Sequence, residues 1–161
     1  MKKVQLLAMV LLVMAACNKD EEEAHDPVKQ AAIDDELIQI HFEENNITDA
    51  TKDPSGLYYR ILDDSQASGA TVPYYASMTI RYKGMYLDDV VFDTNEDDTN
   101  KTPFRLSSTI KGWQIGIPKL RLKEKAMLYI PSGLAYGPGG NPPIAPNTVL
   151  KFEVKVLEVS Q

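Results

Sequence analysis

Beyond residue 56 the apolar side chains recur at every second position, a period that suits half-buried β-strands and little else. Met78, Ile80 and Tyr82 alternate with Thr79, Arg81 and Lys83, and Ala126, Leu128 and Ile130 alternate with Lys125, Met127 and Tyr129. The last stretch predicts Leu150, Phe152, Val154 and Val156 facing a core, with Lys151, Glu153 and Lys155 in water. Leu57 to Leu62 supplies a further strand. Between the strands, Ile110 to Ile117 carries Lys111-Gly112-Trp113, and Pro118 limits any helix there to about two turns. The pattern predicts an α+β fold, an antiparallel sheet forming a half-barrel around one short helix.

The N-terminal third obeys other rules. Lys2 and Lys3 precede a run from Val4 to Ala16 that is apolar apart from Gln5 and closes on Ala15-Ala16-Cys17. That run is shorter than the roughly 20 residues a membrane-crossing helix needs, so residues 1 to 16 are expected to be a secretion signal. A cysteine directly after two small residues resembles a lipobox, although Met14 stands where leucine is usual. Cys17 is therefore expected to be acylated and to anchor the chain as an outer-membrane lipoprotein, facing the periplasm or the cell surface. As the sole cysteine it excludes a disulfide. Residues 17 to 26 form an acidic tether containing Asp20-Glu21-Glu22-Glu23, too hydrophilic to pack. The net charge of −6, more negative once Lys2 and Lys3 are removed, argues against nucleic acid as a partner.

Residues 27 to 56 are expected to form a helical arm and a joint. Asp26 can cap a helix with Pro27 in its first turn, and Ile33, Leu37, Ile40 and Glu44 then mark one amphipathic stripe, with Ile38 and Phe42 beside it. Residues 27 to 45 can serve as a dimerisation arm or dock on their own domain. Lys52-Asp53-Pro54-Ser55-Gly56 makes a turn-rich joint to the domain at 57 to 161. His25 and His41 lack ligand partners at suitable spacing and are expected at the surface. The acidic loop starting at Asp93 fails as a calcium site, because Asp98 stands where glycine is needed and Phe104 where the bidentate Glu would be.

Six blocks then follow in order: Ile80-Arg81-Tyr82-Lys83-Gly84, Val91-Phe92-Asp93-Thr94, Pro103-Phe104, Ile110-Lys111-Gly112-Trp113, Ala135-Tyr136-Gly137 and Leu150-Lys151-Phe152-Glu153-Val154. Together they resemble the FKBP-type peptidyl-prolyl cis-trans isomerases over residues 57 to 161. The resemblance implies a proline pocket lined by Tyr82, Phe92, Asp93, Phe104, Ile110, Trp113, Tyr136, Ile144 and Phe152. It implies Trp113 as the floor, Tyr82, Phe92 and Phe152 as walls, and the Ile110 N–H and Tyr136 hydroxyl as donors to two substrate carbonyls. Asp93 would orient side chains or polarise the site. A macrolide is an implied ligand of the same cleft, and Xaa-Pro segments of exported or envelope proteins are the implied substrates. Some positions depart from the family pattern. The segment Leu106-Ser107-Ser108-Thr109 is short, and Leu106 and Thr109 stand where Phe and Val are usual on the pocket rim. Asp89 and Lys123 replace turn glycines, so both turns are expected to be built differently, and Ile144-Ala145-Pro146-Asn147 carries Ala145 in place of proline.

Isomerisation needs no cofactor, metal or nucleophile, because the barrier of roughly 18 to 20 kcal/mol is amide resonance and no bond breaks. Trp113 and Phe152 would be buried in a sheet-on-helix core in any case. The trio Tyr82, Asp93 and Tyr136 interleaved with them favours a pocket, since polar groups in an apolar core need partners or a purpose. Two rival readings remain: a non-catalytic chaperone or adhesin that holds proline segments, and a scaffold that presents its helix.

Overall fold

The computed structural model describes residues 26–96 and 103–160. The leader, Cys17, the acidic tether and His25 lie outside them. Helix α1 spans Pro27–Glu44, and strands β1 Thr51–Lys52, β2 Tyr58–Asp63, β3 Ser68–Thr71, β4 Ser77–Met85, β5 Val91–Thr94 and β6 Phe104–Arg105 follow. Helix α2, Lys111–Gly116, precedes β7 Arg121–Leu122, β8 Lys125–Ile130 and β9 Leu150–Ser160. The main sheet runs in the order β1-β2-β8-β9-β4-β5, with β6 also paired to β4, and every described pairing is antiparallel. β3 and β7 form a separate ribbon.

The period-two residues build the core. Ile80, Leu128, Ile130, Leu150 and Val156 are buried in one cluster with Trp113 and Ile117 from the α2 region. Each such side chain stabilises the fold by roughly 1.5 to 3 kcal/mol relative to exposure. α2 can lie this close to the sheet because it carries glycine at two contact points. A Cβ on Gly112 would meet Ile130 Cγ2 at 2.4 Å, and one on Gly116 would meet Leu128 at 2.9 Å. Asp89 and Lys123 correct the sequence expectation: both adopt the left-handed backbone that glycine favours, at φ of 70° and 67°. The turns are kept and the residues bear the strain. Asp89 is compensated by its carboxylate, which meets Lys151 Nζ at 2.7 Å.

The opposite face of the sheet is also covered, by α1. The Asp26 carboxylate caps this helix, accepting from the Val28 and Lys29 N–H groups at 2.9 and 3.2 Å. Its buried residues are Asp34, Ile38, His41 and Phe42, whereas Ile33, Leu37 and Ile40 stay 41%, 42% and 43% exposed. The apolar stripe read from the sequence is therefore not the face that docks on the domain; Ile38 and Phe42 beside it are. Phe42 meets Tyr129 and Tyr58 edge-on, with ring centroids at 4.8 and 5.3 Å, and Ile38 and Val149 complete the cluster. Tyr129 and Lys151, read as water-facing, are covered for the same reason. Lys151 is only 3% exposed, with its Nζ also donating to the Leu87 carbonyl at 3.1 Å.

His41 is likewise a correction, being buried against the Tyr129 ring at 5.7 Å rather than lying at the surface. Burial lowers its pKa and the nearby Lys151 ammonium lowers it further, while Asp89 and Glu44 oppose the shift. The unfolded chain, with a histidine pKa of about 6.5, then binds a proton that the folded chain resists. Stability contributed here is present above about pH 6.5 and falls as the solution is acidified through the window below it. Urea midpoints are expected to drop between about pH 7 and pH 5, and His41→Gln is expected to flatten that slope. An equal slope in the variant would remove His41 as the cause.

Candidate functional site

A cavity of about 390 Å³ opens between the sheet and α2, lined by Tyr82, Asp93, Phe104, Ser108, Thr109, Ile110, Trp113, Tyr136 and Phe152. Tyr82 comes from β4, Phe152 from the neighbouring β9, Asp93 from β5 and Phe104 from β6, while Trp113 projects from α2. The aromatic rings meet edge to face. Trp113 lies 5.2 Å from Tyr82 and 5.4 Å from Phe152 between centroids, at 77° and 86°, and Phe104 meets Trp113 at 6.2 Å. Such pairs add roughly 0.5 to 1.5 kcal/mol beyond area burial and hold the rings in place.

The polar groups sit at the edge of this apolar surface. Tyr82 is half-buried and donates its hydroxyl to Asp93 Oδ2 at 2.9 Å, with Asp93 exposed. These groups, read from the sequence as favouring a pocket over a plain core, lie on the wall of an open cleft, where water can still solvate the carboxylate. Burial, then the bond to Asp93, pushes the Tyr82 pKa well above its ordinary value, so the hydroxyl stays protonated. Two residues expected in the pocket lie outside its lining. Phe92 packs edge-on against Phe152 at 5.6 Å, supporting that ring, and Ile144 is drawn into the main core.

The short segment before α2 leaves the cavity open. Leu106, expected on the rim, is fully buried in the core, and Thr109 rather than an apolar residue forms the edge. Gln114 ties the segment down, its Nε2 donating to the Thr109 and Ser107 carbonyls at 2.6 and 3.3 Å and its Oε1 accepting from the Tyr74 hydroxyl at 3.0 Å. Ser108 was missed as a lining residue, although adjacency to Thr109 and Ile110 was a signal for it. The Trp113 and Gln114 N–H groups both bond the Ile110 carbonyl, whereas the Ile110 N–H makes no hydrogen bond among the described residues.

A larger groove of about 570 Å³ separates α1 from the joint and is lined by Asp35, Lys52, Asp53 and Pro131 among others. Its charges are already satisfied, with Lys52 Nζ 2.6 Å from Asp35 and Asp53 paired to Lys119 at the same distance. It has no aromatic wall, so we place the chemistry in the smaller cleft. Among the described residues no group of His, Cys, Asp and Glu side chains is arranged to hold a metal ion, and no helix is long and apolar enough to cross a membrane.

Comparison with known proteins agrees with this geometry. Residues 69–157 match the model of the family described as FKBP-type peptidyl-prolyl cis-trans isomerase. FK506-binding protein 1 of Saccharomyces cerevisiae is 42% identical over 102 residues, which cover 60% of this chain and 88% of the yeast protein. Outer membrane protein MIP of Legionella longbeachae is 33% identical over 67% of this chain, but the match spans only 46% of MIP. The crystal structure of FkpA from Escherichia coli superposes with a TM-score of 0.70 at 29% identity, covering 83% of this chain and 62% of that one. With the family model matching more than half of the sequence, and with the sheet, helix and cleft in place, the chain belongs to the FKBP-type peptidyl-prolyl cis-trans isomerases.

Proposed function

We propose that the cleft isomerises Xaa-Pro bonds in exported or cell-envelope proteins by favouring the twisted amide over both planar forms. The observation that carries this reading is the convergence of the hydrogen-bonded Tyr82–Asp93 pair, Tyr136 and the unbonded Ile110 N–H on one aromatic cavity. Twisting localises the nitrogen lone pair and makes the amide less polar, so an apolar, water-poor wall disfavours it less than it disfavours the planar forms. Trp113, Phe104 and Phe152 supply that wall around the proline ring, with Phe92 bracing Phe152. The Ile110 N–H and the Tyr136 hydroxyl orient the flanking carbonyls, and Asp93 holds Tyr82. Each 1.4 kcal/mol or so of preference for the twisted state is worth about tenfold in rate.

The layout extends this reading. Residues 1 to 16 act as a signal peptide, Cys17 carries lipid, residues 17 to 26 are a tether, residues 27 to 56 an arm and joint, and residues 57 to 161 the isomerase domain. Location in the envelope is supported by the basic-apolar leader and by the name of the Legionella relative. The yeast relative's name supports a macrolide as a ligand of the cleft. The outward stripe Ile33, Leu37 and Ile40 leaves α1 a face for a second copy.

An NMR exchange or protease-coupled assay on tetrapeptides with several residues before proline tests the proposal. Acceleration is expected, with kcat/KM reduced about tenfold in folded Asp93→Leu, whose Tyr82 hydroxyl has lost its acceptor. No acceleration by folded protein, with proline peptides still bound, would leave a non-catalytic binding module as the better account.

A further inference from the structure

Tyr136 sits at the end of a stretch, residues 131 to 136, whose Leu134, Ala135 and Tyr136 pack partly buried against the main core. Gly133 and Gly137 have nothing within 4 Å of where a Cβ would stand, and a cavity of about 220 Å³ lies beside Asp34, Ser132, Gly133, Leu134 and Gly137. Core contacts through Leu134, Ala135 and Tyr136 are loosened by this open space, and hydrogen bonds complete the placement of the stretch. Within it, the Leu134 N–H donates to the Pro131 carbonyl and the Ala135 N–H to the Ser132 carbonyl, both at 2.9 Å, and the Asn147 N–H donates to the Gly137 carbonyl at 2.9 Å. Its N-terminal end is fastened to the arm. The backbone N–H and the hydroxyl of Ser132 both donate to Asp34 Oδ2 at 2.7 Å, and Gln30 Nε2 donates to Asp34 Oδ1 at 2.8 Å.

Asp34 and Ser132 are each 1% exposed. A carboxylate taken out of water is costly unless donors replace the lost hydration, and hydrogen bonds to a charged acceptor are roughly twice as strong as neutral ones. Here those strong bonds converge on one residue of the stretch, four positions before Tyr136. From this arrangement we infer that Asp34, on the arm, is a positioning residue for Tyr136: it fixes Ser132 and through the intervening turn aims the tyrosine into the cleft. The inference rests on the reading of Tyr136 as a donor to substrate, and it makes the arm part of the isomerase rather than a mere support.

A double-mutant cycle in the full chain tests it, with kcat/KM measured for Asp34→Leu, Asp34→Asn, Ser132→Ala, Tyr136→Phe and the Asp34→Leu/Tyr136→Phe pair, well below every melting temperature. Misplacing a contact residue by an ångström can cost two orders of magnitude, so Asp34→Leu is expected to lose about tenfold or more. The pair is expected to be no worse than Tyr136→Phe alone, because the aspartate acts only through the tyrosine. Asp34→Asn is expected to recover most activity, its amide oxygen still accepting from Ser132 while Gln30 turns its own carbonyl to the amide NH2. Should Asp34→Leu fail to fold, Ser132→Ala, which keeps the backbone bond, takes its place in the cycle with a smaller, equally non-additive loss. Additive losses, or full activity in folded Asp34→Leu beside an impaired Tyr136→Phe, would overturn the inference and leave the cleft standing. Full activity in Tyr136→Phe would remove the donor role and the inference together.

Discussion

Exchange of Trp113 for leucine is expected to lower kcat/KM for an Xaa-Pro tetrapeptide at least about tenfold while the chain remains folded. The indole is in edge-to-face contact with Tyr82, Phe104 and Phe152 and lines the cavity directly. Leucine fills part of the volume but offers no flat apolar surface, and water entering the gap would stabilise the polar planar amide over the twisted one. Truncating a buried aromatic also costs stability, about 3 to 5 kcal/mol for replacement by alanine and less for leucine. Activity is therefore to be compared at a temperature where circular dichroism shows both proteins native. Unchanged acceleration by a folded variant would mean that the ring is ordinary core.

Gly84→Ala should damage stability and activity together. A Cβ at this buried position in β4 would stand 2.8 Å from Phe152 Cε1 and 2.8 and 2.9 Å from Phe92 Cζ and Cε2. Neither ring can retreat easily, because each packs edge-on against the other and Phe152 also abuts Trp113. Overpacking of this kind costs about 1 to 3 kcal/mol, which lowers the melting temperature by several degrees. Phe152 must shift to admit the methyl group, so the proline pocket deforms as well. Adding Phe92→Leu opens space on one side and is expected to restore part of both losses. A Gly84→Ala protein with native melting temperature and activity would show that the two rings yield freely.

The sheet was legible because burial on one face writes itself into a strand as alternation, and β4, β8 and β9 fall where that alternation is clearest. What alternation cannot show is a second cover. Tyr129 and Lys151 looked solvent-facing only because the sequence gives no sign that α1 folds back over them. The face of α1 was misread for a related reason: hydrophobicity favoured Ile33, Leu37 and Ile40, whereas the docked face includes Asp34 and His41. A polar residue is buried when a distant partner satisfies it, and the partner of Asp34 is Ser132, 98 positions away in sequence. Within the cleft, the aromatic residues could be picked out by family blocks. Phe92 and Ile144 fell outside the lining because a family resemblance records identity, not which way a side chain faces. Leu106 went into the core for want of a longer segment to hold it on the rim.

Trp113 is the chain's sole tryptophan, and it stands in the cleft. Selective excitation of indole emission therefore reports on one place in the molecule. A proline peptide or a macrolide entering the cavity would displace water from that ring and change its spectrum directly, while events on the arm's outer face would leave it untouched. The protein carries its own optical probe of occupancy, and binding isotherms can be recorded on the unlabelled chain.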